Sequence, residues 1–232
     1  MCKQPGVTLI RYLCVIFAMT VFYGPHSAYG IYIGNLTFSL PQEGSFTAKR
    51  VLNNNDSARV YTVSVIGIDK PGEKEVRTRP ADGEVLYSPK TLTLQKGEGD
   101  YFKFFYNGPH DDKERYYRIS FREIPAKAIN ARKNSGSSIT LEPVVVIDAI
   151  FVVRPKKINF KWEFDKGNGV LKNVGNTFFK FIVKPDCQAT EDEGRTFYLR
   201  PGDVLRDTYL KQSGSKFIIY NDKFINISQD CL

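Results

Sequence analysis

The cysteines are the residues whose chemistry the sequence defines most clearly. Four are present, Cys2, Cys14, Cys187 and Cys231. The first two lie in a leader-like segment, so an exported chain would retain one even pair, Cys187 and Cys231. An oxidising compartment favours a disulfide between them, which would act as a structural staple.

The remaining reactive side chains form no constellation typical of a metal site or an enzyme. His26 and His110 are the only histidines, and the two late cysteines lack zinc-ligand spacing. No nucleophile elbow, Cys–His pair or phosphate-binding loop follows the leader. The acidic turn at Glu191–Glu193 is more typical of a solvated surface than of catalysis. The sequence therefore predicts a protein that is not an enzyme and needs no metal or cofactor.

Residues 1–30 predict a secretory signal peptide. Lys3 and Arg11 make its start basic, Tyr12–Tyr23 is uncharged and apolar, and Ala28 and Gly30 supply the small residues of a cleavage site. The apolar run is shorter than the roughly 20 residues that a membrane span requires. We expect the mature chain to begin at Ile31.

The charge pattern argues against a nucleic-acid partner. The formal net charge is +8, but the basic residues are scattered through strands and turns rather than collected in a stripe. Such a surface suits an acidic or carboxylate-bearing partner better.

The mature chain reads as an all-β protein of two domains. Short strand-like runs are separated by Gly, Pro, Asn and Asp turns, and seven or so of them before residue 154 indicate an immunoglobulin-like sandwich. Arg154-Pro155-Lys156-Lys157 predicts a hinge, because proline cannot donate to a sheet ladder. We expect an N-terminal domain over 31–153, a hinge over 154–157 and a smaller β-sandwich over 158–232.

The run Ile139–Val153 is unusually long and apolar on both of its faces. One parity carries Ile139, Leu141, Pro143 and Val145, and the other carries Val144, Val146, Ile150 and Val152. Such a strand is either buried on both faces in its own sheet or a surface that completes the fold of another protein. Pro143 favours the second interpretation, because proline is confined to edges and bulges.

Several segments resemble the PapD-like periplasmic chaperones of the chaperone–usher pilus pathway, over nearly all of the mature chain. The matching segments are Arg122-Glu123-Ile124-Pro125 followed about thirty residues later by Arg154-Pro155, Val51-Leu52-Asn53-Asn54, Ser88-Pro89 through Leu94 with Lys96-Gly97-Glu98, Val174-Gly175-Asn176-Thr177, and Leu199-Arg200-Pro201-Gly202. Within the family the chain looks most like the common-pilus, or alternative, branch.

The resemblance implies two immunoglobulin-like sandwiches in an L-shaped arrangement. It implies a periplasmic chaperone whose strand inserts into an incomplete pilus subunit and which delivers that subunit to an outer-membrane usher. Ile139, Leu141, Pro143 and Val145 are the residues expected to face the subunit. A chain with such an exposed edge is also expected to form a homodimer when it is free of a client.

One expected feature of the family is missing from the sequence. Its best-known members bind the subunit's C-terminal carboxylate with two basic residues, and Thr37 and Ile150 occupy the matching positions here. The basic residues that could replace this pair, judged by their strand and by the face they occupy, are Arg118, Arg122, Lys156 and Lys157. Arg118 is the first choice, because a guanidinium binds a carboxylate through two hydrogen bonds. For each, the alternative is an ordinary surface base or a structural ion pair.

A second class of function is compatible with the same pattern. An exported two-domain adhesion or carbohydrate-binding module would also consist of immunoglobulin-like domains. The complete first sandwich and the Arg154-Pro155 junction favour the chaperone interpretation.

Overall fold

The computed structural model describes residues 30–41, 43–72, 74–126, 143–190, 192–221, 223–228 and 230–231. Residues 1–29, which carry most of the predicted signal peptide, lie outside these ranges, as do Ile139 and Leu141. No helix in the described ranges is long and apolar enough to cross a membrane.

The fold is all-β, as predicted. Numbered in chain order, the strands are β1 Ile31–Tyr32, β2 Thr37–Leu40, β3 Phe46–Asn53, β4 Arg59–Ile68, β5 Arg77–Thr78, β6 Val85–Ser88, β7 Thr91–Leu94, β8 Gly99–Tyr106, β9 Arg115–Pro125, β10 Val145–Val153, β11 Trp162–Asp165, β12 Val170–Asn173, β13 Phe179–Val183, β14 Arg195–Leu199, β15 Val204–Arg206, β16 Lys216–Tyr220 and β17 Lys223–Asn226. A 3-10 turn spans Thr208–Leu210.

Each half of the chain builds two sheets. In the first half, a four-stranded sheet has the order β1-β3-β8-β6, and a six-stranded sheet has the order β2-β10-β9-β4, with both β5 and β7 paired to β4. In the second half, the sheets are β11-β12-β15 and β14-β13-β16-β17. Every described strand pair is antiparallel except β2 with β10.

The first core is centred on aromatic rings, which the alternating strands direct inward. Phe104 is fully buried and lies 5.5 to 6.3 Å, centroid to centroid, from Phe38, Phe121, Phe151 and Tyr87. These rings come from both sheets, so they hold the two layers together. A separate cluster around Leu171, Phe181 and Ile218 forms the core of the second half.

A buried polar network closes the first sandwich next to the start of β10. The amide of Asn53 donates to the backbone oxygens of Ser57, Leu94 and Gln95, and its oxygen accepts from the backbone and side chain of Asn55. Asn53 is wholly buried, so each of these bonds satisfies a group that water cannot reach.

The same network reaches β9 through Glu123. Its carboxylate is 3% exposed and accepts from the Asn55 amide and the Tyr61 hydroxyl, both at 2.9 Å. Glu123 lies directly opposite Val145 across the β9–β10 ladder. The Asn-Asn and Arg-Glu-Ile-Pro segments therefore fix the end of the sheet at which β10 begins.

The predicted hinge is bonded to both domains. Arg154 lies against the second domain, where its guanidinium donates to Thr177 Oγ1 and to the backbone oxygen of Phe178 and lies 4.5 Å from the Phe178 ring. Glu114, from the first domain, accepts from Thr177 Oγ1 at 2.7 Å and from the Phe178 backbone N–H at 3.0 Å. Burial raises the pKa of Glu114, and these donors oppose that rise.

The predicted disulfide between Cys187 and Cys231 is present. It holds the end of the chain beside Asp230, whose carboxylate accepts from Ser228 Oγ and from Lys216 Nζ. The Lys216 ammonium is wholly buried and also donates to the backbone oxygens of Gln212 and Gly214. A buried ammonium without such partners would be strongly unfavourable.

We expect Asn53→Ala to lower the free energy of unfolding by about 2–3 kcal/mol, because several buried carbonyls and one amide lose their partner. The neighbouring Asn54 is exposed, so Asn54→Ala is the matched control and should change stability by less than about 0.5 kcal/mol. Urea unfolding followed by circular dichroism measures both. Equal effects in the two variants would contradict this role for the network.

Candidate binding strand and cleft

β10 leaves half of one edge unpaired. It is hydrogen-bonded to β9 along its whole length, from Val145 opposite Glu123 to Val153 opposite Arg115. On its other side β2 pairs only with Ile150–Val153. Within the described part of the chain, no strand covers the outer edge of Val145–Ala149. Free backbone groups along an edge are a template for another strand.

The two faces of β10 have different surroundings. Val145 and Ile147 pack against the core of the first sandwich, whereas Val144 and Val146 are 44% and 55% exposed. The prediction placed Val145 with the client-facing residues Ile139, Leu141 and Pro143, whereas here Val145 packs against the chain's own core. The pairing of Val145 with Glu123 fixes the register, and that register turns Val145 toward the chain's own core. Pro143 precedes the strand and is exposed.

Thr37 and Ile150 lie directly opposite each other in the parallel β2–β10 ladder. Both face a cavity of about 320 Å³ between the two domains, lined by Thr37, Pro71, Gly72, Tyr116, Ile150, Val152, Phe178, Tyr198 and Arg200. The two positions that the resemblance assigned to basic residues are therefore adjacent, and in this chain they carry a hydroxyl and an aliphatic group.

The predicted first-choice anchor, Arg118, is engaged within the chain. It lies opposite Ile150 on β9, and its guanidinium makes a bidentate pair with the carboxylate of Glu75, with Nε donating to Oε1 at 2.8 Å. Asp148 lies 3.5 Å from the same guanidinium. The side chains of Arg118 and Glu75 are 17% and 6% exposed, so this is a largely buried ion pair.

The other three predicted bases are not collected at the cleft. Arg122 is exposed four residues further along β9, and Lys156 and Lys157 are exposed at the domain junction. The backbone N–H groups of these lysines donate to Asp111 and Asp112. Among the described residues, none of the four predicted bases lines the cavity. Carboxylate anchoring by these residues stays a prediction.

The sequence interpretation missed Arg200, the charged residue that does line the cavity. It precedes Pro201-Gly202, where Gly202 has a φ of +82°, and Asp203 N–H closes the turn on the Arg200 oxygen at 3.0 Å. This is a type II turn, which favours Pro then Gly at its centre. The turn folds Asp203 back onto the guanidinium, with bonds of 2.8 and 3.0 Å.

Comparison with known proteins places these features in a family. No family model matches the chain. The chain is 51% identical over 231 residues to the probable fimbrial chaperone EcpE of Escherichia coli, covering 100% of this chain and 97% of that protein. It belongs to the fimbrial chaperones. A second relative, the probable fimbrial chaperone EcpB of Klebsiella pneumoniae, is 29% identical over 83% of this chain and 87% of its own length.

Solved structures of bacterial chaperones share the fold of this family member. The periplasmic chaperone SfaE superposes with a TM-score of 0.56 at 13% identity, covering 85% of this chain and 98% of that one. The Escherichia coli chaperone DraB gives 0.56 at 14% identity, covering 86% and 94%. The resemblance to PapD-like chaperones with two immunoglobulin-like domains is thereby confirmed, in preference to an adhesion or carbohydrate-binding module.

The Glu75–Arg118 pair predicts an acid dependence of stability. The hydrogen bonds from Arg118 hold the pKa of the Glu75 carboxyl below its ordinary value of 4.5. The pair therefore contributes stability that is present above about pH 4.5 and is lost as the pH falls through the lowered pKa. Glu75→Gln should cost about 1–3 kcal/mol at pH 7, and its difference from wild type should shrink steadily below pH 4.5.

The matched control is Asp82→Asn, which removes a carboxylate that is 94% exposed from its pair with Arg79. It should change stability by less than about 0.5 kcal/mol at any pH. Urea unfolding between pH 3 and pH 7 gives both comparisons. A Glu75→Gln effect that is constant across this range would contradict the role given to the ion pair.

Proposed function

We propose that this fimbrial chaperone holds its client through the open edge of β10, by donor-strand complementation of an incomplete pilus subunit. The observation that carries the proposal is the edge of Val145–Ala149, which no strand among the described residues pairs, in a strand that is otherwise fully hydrogen-bonded. A subunit that lacks a strand has a matching row of unpaired backbone groups. Joining the two satisfies both edges at once.

The side chains determine how the strand would fill the client. Alternation along the chain gives Ile139, Leu141 and Pro143 the parity of Val145, which packs at the margin of the chaperone's own core. We propose that these three residues continue the same apolar face past the end of the first sandwich, into the open core of the subunit. The same face of the strand would then pack into the chaperone's own core at Val145 and into the subunit's core at the three preceding residues.

A client carboxylate would reach Arg118 only by displacing Glu75 from a bidentate, largely buried pair. Breaking such a pair leaves an uncompensated buried charge, which is costly. We therefore propose strand pairing and apolar contact as the main source of affinity, with carboxylate anchoring by Arg118 as a minor contribution.

The proposal extends to location and partners. Chaperones of this family are periplasmic, and we propose that residues 1–30 direct export and are then removed. The loaded chaperone would deliver its subunit to an outer-membrane usher. Without a client, the free edge of β10 would pair with a second copy, because exposed strand edges recruit other chains. None of these steps requires a catalytic group.

Two charge substitutions on opposite parities test the donor strand. Leu141→Asp should abolish co-purification with a fimbrial subunit expressed from the same gene cluster, because a carboxylate would enter the subunit's apolar core. Val146→Asp, on the exposed face, is the matched control and should retain the complex. Val145→Asp is unsuitable, because Val145 packs on the chaperone's own core.

Circular dichroism and thermal unfolding of both variants alone establish that each is folded. If the folded Leu141→Asp variant still forms the complex and Val146→Asp does not, this assignment of faces is refuted. If both variants retain the complex, strand donation itself would be refuted.

A further inference from the structure

The cavity between the domains is largely apolar, although it occupies the place where basic residues were expected. Tyr116, Ile150 and Val152 contribute from the six-stranded sheet, and Phe178 and Tyr198 contribute from the second domain. The rings of Phe178 and Tyr198 lie 6.5 Å apart. With a volume of about 320 Å³, the cavity is at the small end of pockets that enclose a ligand group.

The charges around this cavity are already balanced. Arg200, which lines it, is bonded to Asp203 through two nitrogens and donates to the Pro71 oxygen at 3.3 Å. Arg118, beside Ile150, is bonded to Glu75 and faces Asp148. Arg77 also donates to Glu75, at 2.8 Å. Three guanidinium groups therefore face the three carboxylates of Glu75, Asp148 and Asp203. No surplus positive charge in this described cluster would favour a free carboxylate over water.

The cavity adjoins the end of the open edge of β10, because Ile150 and Thr37 both line it. Among the described residues this edge is unpaired from Val145 to Ala149, and β2 pairs with it from Ile150, opposite Thr37. A client strand seated on Val145–Ala149 must therefore leave the sheet at Thr37. Its next residue lies over the cavity, because one residue of strand advances about 3.3 Å.

We propose that this cavity binds one uncharged apolar side chain of the client, aromatic or branched aliphatic, at the point where the client strand leaves β10. This inference rests on the proposed function and adds a second element of recognition to it. The strand edge binds backbone without regard to sequence, whereas the cavity selects a side chain. Aromatic rings fit such a site because they bury a large area with little loss of conformational freedom.

The test uses small probes, so that it does not depend on formation of the subunit complex. Full-length mature chaperone with 13C-labelled isoleucine methyl groups is titrated at pH 7 with N-acetylphenylalaninamide, N-acetylphenylalanine and N-acetylglycinamide. We expect the phenylalaninamide to shift the Ile150 methyl resonance saturably. The phenylalanine carboxylate should bind within about twofold of the amide, and the glycinamide should give no saturable shift.

Two variants examine the lining. Tyr198→Ala should weaken phenylalaninamide binding at least about fivefold. The Tyr198 ring forms one wall of the cavity and is 54% exposed, so its loss removes apolar contact with the probe, which contributes about 25 cal/mol per Å². Tyr101→Ala, at a comparably exposed tyrosine of the first sandwich, is the matched control and should have no effect. Ile150→Lys should reverse the preference in favour of the carboxylate.

Three results would overturn the proposal. The first is the absence of a saturable Ile150 shift with the phenylalaninamide, and the second is unchanged binding in a folded Tyr198→Ala variant. The third is binding of the phenylalanine carboxylate to the wild type more than about tenfold tighter than the amide, which corresponds to about 1.4 kcal/mol. Co-purification with the fimbrial subunit separates this inference from the proposed function. A Leu141-dependent complex without cavity binding refutes the cavity alone. Cavity binding by a chaperone that forms no complex with the subunit refutes strand donation.

Discussion

The structure depends on the need of backbone N–H and C=O groups for hydrogen-bond partners. Among the residues that the structure describes, β10 has such partners along the whole of one edge and about half of the other. β9 covers one side completely, and β2 covers Ile150–Val153 on the other. The length of β2 therefore decides how much of β10 remains available to another chain. A longer β2 would complete the sheet and leave no edge for strand addition, while its absence would expose the whole strand to aggregation.

The available half of β10 is useful only if it is held still. The Asn53–Asn55–Glu123 network fixes the end of β9 opposite Val145, and all of its members are buried and hydrogen-bonded. At the other end, Glu114 and Arg154 connect the first domain to the second through Thr177 and Phe178. Polar networks of this kind are favourable only when every member is satisfied, so each fixes a specific geometry rather than adding general cohesion.

The ion pairs near the domain junction support the framework and leave the cavity beside Ile150 largely apolar. Arg118 and Arg200 are both close to the cavity, and each is paired with a carboxylate in a two-bond geometry. The cavity beside Ile150 is lined mainly by aromatic and aliphatic groups, with Thr37 and Arg200 as its polar members. We propose that recognition at this place relies on shape and apolar contact, in keeping with Thr37 and Ile150 at the positions that are basic in the family's best-known members.

The sequence by itself determined the all-β class, the disulfide, the change of character at Arg154-Pro155 and the unusual nature of the Ile139–Val153 run. These features follow from local patterns: alternation, turn residues and an even pair of cysteines. The family resemblance also implied that Thr37 and Ile150 lie close together, because they match the two basic positions of its best-known members.

Only the tertiary structure decided which face of β10 points inward, because both parities are apolar and the choice depends on pairing with β9. It also decided that Arg118 is occupied. Glu75 is 43 residues away in sequence and belongs to a turn with no pattern of its own, so no local signal could join the two. Pairing across a sheet and contacts between domains are long-range properties, and they place Glu75 on Arg118 and bring the apolar groups together beside Ile150.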